Sequence, residues 1–154
     1  MAEALTVEAM QARVGQEVGL SRWYEMSHER IQAFADITED WQPIHLDPAA
    51  GAASPFGTTI AHGFLTLSLL SAMVYEMPAL AGEAVGVNYG FDKIRFLSPV
   101  PTGARVRGRF TLAELSARPD GGYRLTYDVT VEIEGQDKPA LAARWLGLRY
   151  LEGA

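Results

Sequence analysis

The chain contains no cysteine. That absence excludes a disulfide framework, a thiolate nucleophile and a cysteine-based zinc site, and it fits a reducing cytoplasm, the expected location. There is no cluster of lysine and arginine either. With a net charge of −6, nothing attracts a phosphate backbone, so no nucleic-acid partner is expected. No apolar run approaches the roughly 20 residues that a bilayer crossing needs. The continuous apolar stretch Phe64 to Tyr75 is too short, and Gly51, Pro55, Gly57 and Gly63 interrupt the uncharged region around it. The N-terminus places Glu3 where a secretory signal would carry positive charge. Nucleophile-elbow, dinucleotide-fingerprint, P-loop and H-E-x-x-H patterns are all missing. His28, His45 and His62 do not fall at zinc-ligand spacing. A set drawn from His45, Asp47 and His62 lacks a ligand motif, so no metal is expected.

What remains is an ordinary globular composition, 48% hydrophobic and 21% charged over 154 residues. That length suits a single domain spanning 1–154. Thr6 can cap a first short helix on which Val7, Met10 and Val14 share a face before Gly15. Residues 17–26 read as a strand. Ser27 can cap a second helix, with Ile31, Phe34 and Ala35 at helical spacing, which Pro43 is expected to end. From Trp41 to His62 the chain reads as an ordered loop with one helical turn after Asp47-Pro48. Gly63 to Met77 is apolar nearly all round, the mark of a central helix.

The remainder alternates with a period of two. Val85, Val87, Tyr89 and Phe91 are expected on one face of a central strand, and Val106, Phe110 and Leu112 form a second set. Tyr123, Leu125, Tyr127, Val129, Val131 and Ile133 oppose Arg124, Thr126, Asp128, Thr130, Glu132 and Glu134 most cleanly. Leu141 to Leu151 makes a last strand. A central helix that is apolar all round needs a sheet to wrap it, so the class is α+β.

Two segments carry chemistry. In Asp40-Trp41-Gln42-Pro43-Ile44-His45, Pro43 breaks the helix, so that Asp40 closes it and His45 follows in extended chain, letting the two side chains converge. Asp40 and Glu39 also place negative charge at a helix C-terminus, against the macrodipole, and local rule-breaking of this kind gathers at functional sites. In the second segment, Thr58 to Phe64, Gly63 opens the central helix. Helix N-termini present unpaired N–H groups, and one there could polarise a thioester carbonyl and stabilise an enolate.

The run Phe34 to Pro48, with Asp40, Gln42 and His45 in place, resembles the signature of the MaoC-like, (R)-specific enoyl-CoA hydratase/dehydratase family. Ile60-Ala61-His62-Gly63-Phe64-Leu65-Thr66-Leu67-Ser68 resembles the entry to that family's central helix. Asn88 to Val100 is similar to its following strand in the branch related to nodulation protein N. The resemblance covers about residues 14 to 150. It implies a hotdog fold, in which an antiparallel sheet wraps a central helix, and a homodimer with its active site near the interface. It further implies that Asp40 and His45 hold the catalytic water, that Gly63 supplies an oxyanion-hole N–H, and that Ser68 lines the site. Gln42 replaces a commoner Asn, and Asn88 is a further candidate for substrate binding. The implied reaction is reversible hydration of a trans-2-enoyl-CoA to a (3R)-hydroxyacyl-CoA, with coenzyme A as part of the substrate and no separate cofactor.

Two other readings stay open. A hotdog acyl-CoA thioesterase usually needs an acid on the central helix, and here only Glu76 at its far end qualifies. A non-catalytic acyl-binding subunit, paired with a second hotdog chain, would have no need of an intact Asp40/His45 pair.

Overall fold

A computed structural model describes residues 3–153. Strand β1 (Ala4–Leu5) runs into helix α1 (Val7–Gln11), capped by the Thr6 hydroxyl, which accepts from the Ala9 N–H at 3.2 Å. The strand expected over 17–26 is split into β2 (Glu17–Leu20) and β3 (Tyr24–Glu25). Helix α2 (His28–Thr38) starts at the expected cap, Ser27, whose hydroxyl accepts from the Arg30 N–H.

Helix α2 stops short of Pro43. Glu39 takes a left-handed conformation at φ 60°, and the Asp40 N–H bonds back to the Ala35 carbonyl at 3.1 Å. Pro43 instead opens the next element, α3 (Pro43–Leu46), where its missing N–H costs nothing and its fixed φ is already helical. The expectation of extended chain at His45 is therefore corrected: His45 lies in a one-turn helix. Helix α4 (Pro48–Ala53) follows, capped by Asp47.

The central helix is built in pieces: α5 (Gly63–Ser68), α6 (Leu70–Met73) and a tighter turn over Val74–Glu76. It is not buried all round. Leu65, Thr66, Leu70 and Met73 face the core, whereas Phe64 and Tyr75 are 66% and 80% exposed. Short β4 (Ala79–Leu80) pairs with β1, and four long strands complete the chain: β5 (Glu83–Phe96), β6 (Arg105–Ala117), β7 (Tyr123–Ile133) and β8 (Leu141–Leu151).

The main sheet is antiparallel, in the order β2-β6-β7-β8-β5, with β3 also on β6. Its inner face packs Val106, Phe110, Leu112, Leu125, Tyr127, Val129, Val131, Leu141 and Trp145 against Leu65, Leu70 and Met73 of the helix. The alternation in β7 holds, with Leu125, Tyr127, Val129, Val131 and Ile133 all buried. At about 25 cal/mol per Å² of apolar area removed from water, each such side chain contributes roughly 1.5–3 kcal/mol before entropy is counted.

Strand β5 departs from its expected pattern in two ways. It is an edge strand rather than a central one, and its register against β8 shifts at Glu83/Val85, Asn88/Gly90 and Phe91/Lys93. Each shift inserts a residue and reverses the alternation of faces. Phe91 therefore turns inward and stacks on Trp145, while Val85, Val87 and Tyr89 are exposed. No helix among the described residues is long and apolar enough to cross a membrane.

Candidate active site

The left-handed turn at Glu39, the proline-started α3 and the entry to α5 meet at one place. His45 is buried, and its Nδ1 lies 2.7 Å from the Ile60 carbonyl. A carbonyl only accepts, so Nδ1 carries the proton and donates it, which leaves Nε2 as a bare acceptor. Burial, the largest influence, holds the imidazole below its ordinary pKa of 6.5. The Ile60 bond works against that, neighbouring His62 adds to it, and Asp40 opposes it more weakly. His45 is neutral at neutral pH.

His62 caps the start of α5 and is buried beside His45, with ring centroids 3.8 Å apart and planes 27° from parallel. Its Nε2 lies 3.0 Å from the Asp40 carbonyl oxygen and 4.0 Å from the Asp40 carboxylate. One residue thus braces both partners: the ring fixes His45 by stacking, and Nε2–H donates to the backbone of Asp40. That tautomer leaves Nδ1 as an acceptor, and Nδ1 is buried with no partner among the described residues.

Asp40, His45 and His62 each present a ligand-type atom within 4.8 Å of the others. The spacing would also suit a small cation, but backbone carbonyls engage His45 Nδ1 and His62 Nε2. Asp47 takes no part, because its carboxylate accepts from the Ala49 N–H as the α4 cap.

These side chains line a cavity of about 460 Å³ that is otherwise mostly apolar, with Phe56, Ile60, Phe64, Phe96 and Val100 among its walls. Gly63 lies on its wall as the first residue of α5, so the helix offers its N–H no acceptor. A Cβ at Gly63 would sit 3.0–3.3 Å from the Phe96 ring. A side chain there would press on that ring, so glycine lets the aromatic side chain from β5 approach closely.

Of the residues singled out in the sequence, the structure brings together Asp40, His45 and Gly63. It does not bring the others to the cavity of this chain. Gln42 is exposed and touches Asp40 only through its backbone N–H, 3.4 Å from Oδ1. The Ser68 hydroxyl donates to the Phe64 carbonyl at 2.7 Å on the exposed side of α5. Asn88 is exposed on β5, an edge strand where a central one was expected, and its amide donates to the Ser71 hydroxyl at 3.3 Å. Trp41 is 54% exposed, and its indole N–H donates to the Asp36 carboxylate at 2.9 Å.

Thr66 was missed. It is buried on the cavity wall, and its Oγ1 has no partner among the described residues. The signal was present in the spacing, since Thr66 stands one helical turn after His62 and so shares its face, whereas Ser68 does not.

Residues 9–133 match the MaoC like domain. This chain belongs to the MaoC-like family. It is 51% identical over 144 residues to nodulation protein N of Rhizobium leguminosarum bv. viciae, covering 92% of this chain and 89% of that protein. It is 43% identical over 146 residues to 3-hydroxyacyl-thioester dehydratase Z of Mycobacterium tuberculosis, covering 95% of this chain and 96% of the relative. Among solved structures, the (R)-hydratase from A. caviae superposes with a TM-score of 0.67 at 27% identity, over 87% of this chain and 94% of that one. The MaoC-like chain therefore has the hotdog fold and stands in the nodulation protein N branch.

Proposed function

We propose that this chain is a hydratase/dehydratase that adds water reversibly across the double bond of a trans-2-enoyl-CoA, giving the (3R)-hydroxyacyl-CoA. The observation that carries this is the Asp40 carboxylate and a ring nitrogen of His45 within 4.8 Å of one another on the wall of an apolar cavity, with His45 Nε2 left as the free acceptor because Nδ1 is engaged by the Ile60 carbonyl. A water molecule donates two hydrogen bonds of roughly 2.7–3.0 Å each, so acceptors about 4–5 Å apart can hold one between them. The names of the dehydratase and hydratase relatives support the same chemistry.

In the forward direction the oxygen of that water attacks C3 as one of its protons passes to the pair. The C2=C3 electrons move toward the thioester carbonyl, where the Gly63 N–H opposes the developing negative charge. The pair then delivers a proton to C2 from the same side, so water is consumed with nothing left over. Asp40 and His45 act as one coupled unit. Thr66, the unpaired hydroxyl on the cavity wall, is assigned to the substrate or its water. No separate cofactor is needed.

The unpaired edge of β5 and the exposed Phe64, Tyr75, Val85, Val87 and Tyr89 support a homodimer formed across this face. Ser68 and Asn88 are exposed beside this edge and away from the cavity of this chain, so any part they take in substrate binding is assigned to the partner's site. A thioesterase reading gains nothing from Glu76, whose carboxylate accepts from the Tyr24 hydroxyl and the Arg22 N–H, both at 2.6 Å.

The test is product analysis with crotonyl-CoA and a longer trans-2-enoyl-CoA. The expected product is the 3-hydroxyacyl-CoA of R configuration. An S product, or release of free coenzyme A in place of hydration, would overturn the proposal.

A further inference from the structure

The outer face of the sheet carries a second hollow, of about 600 Å³, which the hydration chemistry does not use. Lys93, Arg95, Arg109 and Arg144 line it, against a single carboxylate, Asp128. Four cations facing one anion is unexpected in a chain of net charge −6. Two are already committed. Arg144 pairs with Asp128 at 3.1 Å, and Arg109 with Glu132 at 2.7 Å and with Glu17. Lys93 and Arg95 have no carboxylate partner among the described residues, although Arg95 donates one N–H to the Ile94 carbonyl at 2.9 Å.

Their direction comes from a bulge. Phe91 stands opposite Trp145 and Lys93 opposite the next residue, Arg144, so Asp92 is an extra residue in β5. In unbroken alternation Lys93 would share the inward face of Phe91. The bulge reverses the parity, turning Ile94 to the core and Lys93 and Arg95 outward beside Arg144 and Ala142. Edge-strand cations also deter strand addition, but that role needs neither a hollow nor the arginines of β6 and β8. Leu97, two residues on from Arg95, borders both this hollow and the cavity that holds Asp40 and His45. The end of β5 thus joins a cationic surface to the acid–base site.

We infer that Lys93 and Arg95, backed by Arg144 and Arg109, bind the phosphate groups of coenzyme A while its thioester end lies at Asp40 and His45. This rests on the acyl-thioester reading. Coenzyme A carries its phosphates at the far end of a long flexible arm, so a phosphate site must be separate from the reacting atoms and continuous with their cavity. Guanidinium and ammonium groups supply charge-assisted hydrogen bonds to such phosphates.

The test is calorimetric titration of coenzyme A and of pantetheine, which has no phosphate, into the wild-type protein and the Lys93→Ala/Arg95→Ala variant. The variant is expected to bind coenzyme A at least about tenfold more weakly, with the difference shrinking as salt is added. Pantetheine should bind both proteins equally, and Lys93→Arg should keep the affinity for coenzyme A. Unchanged coenzyme A affinity, an equal loss for pantetheine, or no binding by the wild-type protein would each overturn the inference. A phosphopantetheine-bearing carrier protein is titrated in parallel. If it alone loses affinity for the variant, the cations serve a protein carrier and the assignment to coenzyme A is wrong. Binding is read without turnover, so failure of the hydration reading would show separately, as enoyl-CoA that binds but is not consumed.

Discussion

The two ring nitrogens of His45 have different duties, and two substitutions separate them. Asparagine at this position can place an amide N–H near the site of Nδ1 and keep the bond to the Ile60 carbonyl, now 2.7 Å, while deleting Nε2. Glutamine reaches toward the site of Nε2 and abandons the Ile60 carbonyl. The loss of a base contributing general acid/base catalysis is worth roughly 10²–10⁴-fold, and neither amide is a base, so both variants should lose at least about 10²-fold in turnover. Their stabilities should differ. A buried carbonyl stripped of its donor costs about 1–3 kcal/mol, which for a domain of this size is roughly 3–9 °C in Tm. His45→Gln should therefore melt several degrees below His45→Asn, although both lose the stacking on His62, worth about 0.5–1.5 kcal/mol. The assays are loss of enoyl absorbance with crotonyl-CoA and thermal unfolding. Wild-type turnover in His45→Asn would refute the role of Nε2, and equal melting temperatures would refute that of Nδ1.

Four further outcomes follow from the same geometry. Because burial holds His45 below its ordinary pKa of 6.5, Nε2 stays unprotonated as pH falls through that value. The acid limb of kcat/KM for hydration should therefore lie below pH 6.5, and a limb at or above it would contradict a neutral, desolvated imidazole. The same depressed pKa means the unfolded chain binds the proton first, so the His45 contribution to stability is lost as pH drops below 6.5 toward the folded value. Thr66→Val removes a buried hydroxyl that has no partner and keeps the shape, so Tm should hold or rise; a fall of more than about 3 °C would mean that the hydroxyl is satisfied. Val87→Lys places a charge on the exposed edge of β5, 42% exposed in the single chain. Sedimentation should show a monomer, and an unaltered dimer would remove β5 from the interface.

Much of this was legible in the chain, for reasons that are local. Thr6 and Ser27 cap their helices because a hydroxyl before a helix has N–H groups to accept from. The β7 alternation survives because a strand packed on one face repeats every second residue. Asp40, His45 and Gly63 could be picked out because each sits at a break in regular structure marked by a neighbouring residue. Non-local features were not legible. Pro43 reads equally as a stop or as a start, and only the left-handed turn at Glu39, four residues earlier, decides for the start. The bulges in β5 depend on its register against β8, so neither the inward turn of Phe91 nor the outward turn of Lys93 and Arg95 can be counted from the sequence. Nor can the edge position of β5, since β8 arrives some 45 residues after β5 ends to lie between it and β7. Asn88 was misplaced for that reason. Thr66, rather than Ser68, is the residue placed on the cavity wall, because it shares the helical face of His62 one turn before it.

The central claim is that Asp40 and His45 together move the proton between water and an enoyl thioester. Its most direct test is the rate of loss of enoyl absorbance from crotonyl-CoA, measured for the wild-type protein beside Asp40→Asn, which keeps the shape of the side chain and removes its basicity. Turnover by the wild type that falls at least about 10²-fold in the variant is the predicted result. Equal rates in the two proteins, or no turnover by the wild type on crotonyl-CoA and longer enoyl-CoA substrates, would contradict it.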